Sequence, residues 1–259
     1  MRGAVVLTAS AGSFPGLIEQ LRALSIAVEE RPLIRFAPPA DWASFDAALD
    51  AVAGDSRAAS PGRRYTAIAL TSPRAARAFM ERLEARDASA RAITSHGIEI
   101  WAAGAGTARA LADGAGRARV PAEADVGRLG AAAALARAML EAGVRGTVLF
   151  PCGDHRRDEL PARLRDGGIE VDDVVCYRSV LASESEARAA AERAAVIVVG
   201  SPSVAALLAR ACGTDARPML VAVGPTTAEA SRASGWPPAA VATHPTAEAV
   251  GAAVRTLLL

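Results

Sequence analysis

The chain contains no lysine; all 29 of its basic residues are arginine. That absence excludes Schiff-base chemistry, a lysine general base and a Walker-type phosphate loop, whatever compositional bias produced it. Cysteine is scarce. Cys152, Cys176 and Cys212 are odd in number, far apart and without a CxxC pair. They point to reduced thiols in a cytoplasmic protein, not to a disulfide framework or a zinc site. His96, His155 and His244 are scattered without metal-ligand spacing, so no metal is expected. Aromatic residues make up 4% of the chain, and the abundance of alanine favours helices packed closely on sheets. No stretch approaches the roughly 18 uninterrupted apolar residues of a membrane span. The apolar run that opens at Ala4 is too short for a signal-peptide core. Neither a membrane segment nor a membrane partner is expected. Net charge is only +1, which argues against a nucleic-acid partner.

What is present is a globular composition, 51% apolar over 259 residues, enough for two domains with separate cores. The chain carries its local motifs twice. Gly104-Ala105-Gly106-Thr107-Ala108 recurs as Gly224-Pro225-Thr226-Thr227-Ala228. Ser72-Pro73-Arg74-Ala75-Ala76 recurs as Ser201-Pro202-Ser203-Val204-Ala205, each straight after an apolar run. A third pairing sets 147–178 against 4–35, each an apolar strand, a polar turn, a Leu-containing helix and a second strand. Two similar half-molecules imply two similar domains, with the cleft between them as the natural place for a ligand.

Periodicity gives strands at 4–7, 67–70, 98–102, 147–150, 195–199 and 219–223. Extended segments cover 27–36, where Pro32 indicates an edge or linker, and 171–180. A helix over 15–24 is expected to bury Leu17, Ile18, Leu21 and Leu24, with Ser13 as N-cap. Others are expected over 41–52, after Ser72, after Gly153 around Leu160 and Leu164, and after Ser201. A polar loop with Arg63 and Arg64 at its end covers 54–64. Alternating strand and helix predicts an α/β fold with parallel sheets and flanking helices. The order of the repeats implies a first domain of 1–34 plus 179–259, interrupted by a second of 36–176. The two crossings would form a two-stranded connector able to hinge.

The chemistry-bearing candidates lie where strands end and helices begin, since free backbone N–H groups and the helix dipole attract anions there. Ser72, Thr107, Ser201 and Thr227 occupy such corners; each either binds an anionic ligand or simply caps its helix. Gly153 lies in the turn Pro151-Cys152-Gly153-Asp154, which either holds an anion through the Gly153 N–H and Arg157 or is a loop capped by Asp154. Tyr177, in the second extended segment, either faces the cleft or packs half-buried on its strand. Gly104-Ala105-Gly106 lacks the third glycine of a dinucleotide fingerprint, so no nicotinamide or flavin cofactor is expected.

Taken in order, these stretches resemble the uroporphyrinogen-III synthase family. The matching segments are Val5-Val6-Leu7-Thr8, Ser72-Pro73-Arg74, Gly104 to Leu111, Val148 to Leu160, Val175-Cys176-Tyr177-Arg178, Gly200-Ser201-Pro202-Ser203 and Val223 to Ala228. The resemblance implies a cofactor-free enzyme of haem biosynthesis that dehydrates and cyclises hydroxymethylbilane with inversion of ring D. It implies Tyr177 as general acid, with Ser72, Thr107, Gly153, Ser201 and Thr227 holding substrate carboxylates, and a monomer is expected. One position departs from the family pattern. An arginine often follows the first-strand threonine, but Ala9 follows Thr8 here, so Arg35 or Arg178 would take its role. The alternative reading is a non-catalytic cytoplasmic two-domain binder of an anionic small molecule.

Overall fold

The structure, a computed structural model, describes residues 3–10, 12–53, 64–86, 88, 90–111, 118–213 and 217–258. Of the polar loop expected over 54–64, only Arg64 falls within them. The chain divides into unit 1, Met1–Phe36 with Val180–Leu259, and unit 2, Ala37–Ser179.

In chain order, β1 (Ala4–Leu7), α1 (Leu17–Arg22) and β2 (Val28–Glu30) open unit 1. Next come β3 (Ile34–Ala37), α2 (Ala43–Ala53), β4 (Tyr65–Leu70), α3 (Pro73–Glu84), α4 (Ala90–Ser95), β5 (Glu99–Ala102) and α5 (Ala105–Arg109). Then follow α6 (Glu123–Leu129), α7 (Ala131–Glu141), β6 (Thr147–Gly153), α8 (Glu159–Asp166) and β7 (Glu170–Leu181). The chain finishes with α9 (Glu184–Glu192), β8 (Ala194–Val199), α10 (Pro202–Cys212), β9 (Met219–Ala222), α11 (Pro225–Ala233), β10 (Ala240–Val241) and α12 (Ala247–Leu258).

Unit 1 holds a five-stranded sheet in the order β10-β9-β8-β1-β2, and its neighbouring strands pair in parallel. Side chains alternate across a strand, so an apolar run buried on both faces feeds two cores. Val6, Ile197 and Val199 pack with Val204, Leu207 and Leu208 of α10. Val5, Leu7, Val196 and Val198 face Leu17 and Leu21 of α1 and Val250 and Val254 of α12. The second five-stranded sheet has the order β3-β7-β6-β4-β5. Ile68 and Leu70 pack with Phe45, Leu49 and Phe79 of α2 and α3. Ala67 and Ala69 face Leu135 and Met139 of α7 and Leu164 of α8.

The two sheets are one design used twice. Matching β1 to β6, β2 to β7, β8 to β4 and β9 to β5 gives the same neighbour order in both. Even β10 has a counterpart, a parallel bridge between Trp101 and Arg119 beside β5. The parallel sheets and flanking helices expected from the sequence are thus found in both units. They differ in where the chain enters, at β1 in unit 1 and at the counterpart of β8 in unit 2, and in β3, which pairs beside β7 and has no counterpart beside β2.

The start of α1 departs from expectation. Its N-cap is Gly16, left-handed at φ 81°, with no side-chain cap. The Ser13 hydroxyl instead donates to the Ser10 carbonyl at 2.6 Å. The helix ends at Arg22, which leaves Leu24 beyond it and 43% exposed. Gly16 takes the left-handed conformation at little steric cost, and that conformation interrupts a helical path from Ser13.

Helices α2 and α3 are locked by a bidentate pair: Arg82 Nε and Nη2 donate to the Asp46 carboxylate at 2.7 and 2.6 Å. The Arg82 guanidinium also lies 4.5 Å from the Trp42 ring centroid. The bond from Arg82 holds the Asp46 carboxyl below its ordinary value, with burial opposing. Both partners are partly exposed, so we expect Asp46→Ala to lower the unfolding free energy by about 1–2 kcal/mol in urea melts at neutral pH. A carboxyl that ionises more readily when folded contributes above its unfolded value of 3.8 and loses that contribution as pH falls below it. The gap between the two proteins should therefore narrow in melts at pH 3 (about one unit below that range).

Candidate active site

In open parallel sheets, ligands bind beyond the carboxyl ends of the strands where the strand order reverses. In unit 2 this point falls between β4 and β6, neighbours that are not consecutive in sequence. Thr71 and Ser72 follow β4, Gly153 ends β6, and Tyr177 stands beside Gly153 on β7. A cavity of about 370 Å³ opens there, lined among others by Ser72, Gly130, Cys152, Gly153, Arg157 and Tyr177. Its size suits a small-molecule site. The N-termini of α3 at Ser72 and of α7 at Gly130 both contribute to its wall. A more open depression of about 580 Å³ lies around Thr147 and Glu170, at the amino ends of β6 and β7. Those are the wrong ends of the strands for the ligand rule above.

Ser72 and Tyr177 are coupled. The Ser72 Oγ accepts from the Ala75 backbone N–H at 3.1 Å, capping α3. Its side chain also hydrogen-bonds the Tyr177 phenol. Burial pushes the Tyr177 phenol above its ordinary value; the Ser72 bond and the nearby Arg74 guanidinium act in the opposite direction. Burial likewise lowers Arg74, while the phenol oxygen raises it. Tyr177 is therefore a neutral proton donor throughout the physiological range. Burial pushes the thiols of Cys152 and Cys176 up to about 12, so neither is a thiolate nucleophile at neutral pH.

Asp154 does not cap the following helix, whose N-cap is Asp158 without a side-chain bond. Instead the Ser179 N–H donates to Asp154 Oδ1 at 3.0 Å, and the Asp154 N–H donates to the Tyr177 carbonyl at 3.2 Å. The turn is thus pinned to the strand that carries the tyrosine. Arg156 is held by Asp173 and Asp158. Arg157 is exposed and makes no ion pair among the described residues.

The two Gly-Thr corners share one backbone. Gly104 has φ 177° and ψ 174°, and Gly224 has φ −174° and ψ 173°. Thr107 and Thr227 are 4% and 5% exposed, with no hydrogen bond to either hydroxyl among the described residues. The one sealed side-chain polar atom without a partner among those residues is Arg217 Nε. Thr107 lies on α5, packed against α3, but does not line the cavity. Ser201 and Thr227 belong to unit 1, beyond the carboxyl ends of adjacent strands β8 and β9. Ser201 makes no side-chain cap. Of the arginines suggested in place of one at Ala9, Arg35 pairs with Glu186 at 3.2 Å and Arg178 donates to the Pro38 carbonyl at 3.1 Å.

Unit 2 thus brings Ser72, Gly153 and Tyr177 together. Sequence reasoning missed Arg74 and the Gly130 corner. The signal for Arg74 was its place in the Ser72-Pro73-Arg74 motif; Gly130, at φ 86°, stands just before an alanine run.

A duplicated, doubly wound α/β scaffold with a cavity at a strand-order reversal has the architecture in which open-sheet proteins bind small molecules. The model of the family uroporphyrinogen-III synthase HemD matches residues 16–251, and the chain belongs to that family. No curated protein matches it in sequence. Among solved structures, the chain is similar to the uroporphyrinogen-III synthetase of Helicobacter pylori, at 17% identity and TM-score 0.64, over 99% of this chain and 100% of that one. It is also similar to a mutant uroporphyrinogen III synthase of the extremely thermophilic bacterium Thermus thermophilus, at 17% identity and TM-score 0.62, over 99% and 98% of the two chains. At such identity these structures carry the fold.

The two serine corners should respond differently to truncation. Ser72→Ala removes a formed cap and is expected to cost about 1 kcal/mol in thermal or urea unfolding. Ser201→Ala removes no side-chain cap and should change stability by less than half as much.

Proposed function

We propose that the chain is an active uroporphyrinogen-III synthase: it dehydrates and cyclises hydroxymethylbilane, inverting ring D, to give uroporphyrinogen III. The observation that carries this reading is the neutral, half-buried phenol of Tyr177, bonded to Ser72 in a cavity at the strand-order reversal of a chain in this family. Three reduced thiols support the cytoplasm as the place of work.

The reaction begins with loss of the hydroxyl of the hydroxymethyl group as water, assisted by the pyrrole nitrogen, which leaves its methylene carbon as the azafulvenium carbon. Tyr177 donates the proton that turns hydroxide into a better leaving group. The substituted carbon of ring D then attacks the azafulvenium carbon, and the resulting spiro intermediate fragments and recloses. The enzyme must favour this attack over simple closure at the unsubstituted position, a task of orientation. Hydroxymethylbilane carries eight carboxylates, and a net charge of +1 supplies no global attraction. Binding falls instead to local donors: the corners at Ser72, Thr107, Gly153, Ser201 and Thr227. A helix N-terminus contributes about 0.3–1 kcal/mol per nearby anion, more when partly buried. The hydroxyls of Thr107 and Thr227, without a hydrogen bond among the described residues, add donors.

Purified protein given fresh hydroxymethylbilane should yield the type III isomer, resolved from type I by chromatography. Binding without conversion would instead identify a sensor. Tyr177→Phe should lower kcat about 10²-fold or more, the range for a lost general acid, and raise the share of type I product. An unchanged rate and isomer ratio would remove Tyr177 from the chemistry. Because burial raises this phenol, the acid form persists to at least its ordinary value of 10.0. The rate should therefore show no loss assignable to Tyr177 up to about one pH unit below that value. Thr227→Ala should raise KM with little change in melting temperature; the opposite pattern would mark a structural threonine.

A further inference from the structure

Gly153 closes an otherwise side-chain-bearing strand, β6, where glycine weakens a sheet unless something needs its bareness. A left-handed φ is not the reason, because Gly153 is absent from the positive-φ glycines, although the β6–β7 register does shift between Cys152 and Gly153. The space beside it is the reason. A Cβ placed on Gly153 would lie 2.7 Å from both Cε2 and Cζ of Tyr177 and 2.9 Å from its hydroxyl oxygen. No real side chain tolerates such contacts. The phenol end of Tyr177, not its Cβ end, occupies the seat that the missing side chain leaves.

The repeat supplies an internal control. Val6 pairs with Ile197 and with Glu29 in unit 1, as Leu149 pairs with Ile68 and with Asp172 in unit 2. Ile197 and Ile68 stand equally far before Ser201 and Ser72. Counting equally onward from these anchors, Ser10 takes the place of Gly153 and Ile34 the place of Tyr177. Where no aromatic ring is seated, the strand end carries a side chain, and the Ser10 hydroxyl donates to the Ile34 carbonyl at 3.4 Å.

We infer that Gly153 is a positioning residue of the reaction: its bare Cα seats the Tyr177 ring and so sets where the phenol proton is offered. This rests on the role proposed for Tyr177. Ser72 holds the hydroxyl from α3, Gly153 bears the ring from β6, and the Asp154 N–H ties the Tyr177 carbonyl to the same turn. Moving the ring off Gly153 breaks the Ser72 bond without removing the phenol.

The test is a cycle of Gly153→Ala, Tyr177→Phe and the double variant, assayed with hydroxymethylbilane for kcat, KM and isomer ratio. Tyrosine-ring NMR of labelled protein accompanies it. Gly153→Ala should lower kcat about tenfold or more, within the range of an acid–base contribution, with KM changed less than about twofold. It should shift the Tyr177 ring resonances but not those of Tyr65. In the Tyr177→Phe background the alanine should cost no further activity. A further loss there equal to that in the parent protein would overturn the proposal, because Gly153 would then act independently of the phenol. Unshifted Tyr177 resonances in Gly153→Ala would overturn it whatever the activities, including the case in which Tyr177→Phe proves fully active. Should Gly153→Ala fail to fold, adding Tyr177→Ala empties the seat and should restore folding; failure to restore it also overturns the proposal.

Discussion

The parallel pairing of β4 with β6 is the contact on which the candidate site depends. Parallel neighbours cannot be joined by a hairpin, so each strand's chain departs at the same end of the sheet, toward different helices. Their diverging exits leave the hollow in which Ser72 and Gly153 meet. The Ile68–Leu149 register sets Ser72 and Gly153 opposite one another, and the β6–β7 pairing adds Tyr177. The apolar packing of Ile68, Leu70 and Leu149 against α2 and α3 holds that register. A strand shifted by one residue would turn these side chains to the opposite face.

The chemical character of the site follows from what surrounds it. A buried phenol stays neutral, buried thiols stay protonated, and the arginine nearest the turn is consumed by Asp173. What remains for an anionic ligand is Arg157 on the cavity wall and otherwise neutral donors: backbone N–H groups at helix starts and a few hydroxyls. Such donors suit a flexible polyacid, because they hold charge without fixing it in the tight fork of an arginine.

Much of this was legible in the sequence because the elements are punctuated by strong signals. Short runs such as Val5-Val6-Leu7 and Val196 to Val199 read as buried strands, and Ser-Pro pairs mark two helix starts. The duplicated motifs revealed two similar units, since each motif sits at the same corner of its sheet. Other features were hidden for physical reasons. Helix α7 is so rich in alanine that few large side chains mark its inner face, although Leu135 and Met139 make it core. The start of α1 turned on the left-handed Gly16, and composition gives no φ. That Asp154 binds the Ser179 N–H, rather than capping α8, depends on a strand partner 25 residues away. Likewise nothing local to Gly153 announces a ring from β7.

The interrupted path of unit 1 bears on how the chain is made. Thr8 Oγ1 donates to the Val198 carbonyl across 190 residues, and β1 lies inside its sheet, between β8 and β2. Domains generally fold as units while the ribosome delivers the N-terminus first. Unit 2 therefore has every strand of its own sheet once Leu181 has emerged. The apolar β1 waits, its backbone unpaired on the β8 side, until Val199 follows. A strand made before its neighbour β8 is thus among the last parts of unit 1 to find its place. Until then it is shielded only by whatever binds nascent chains.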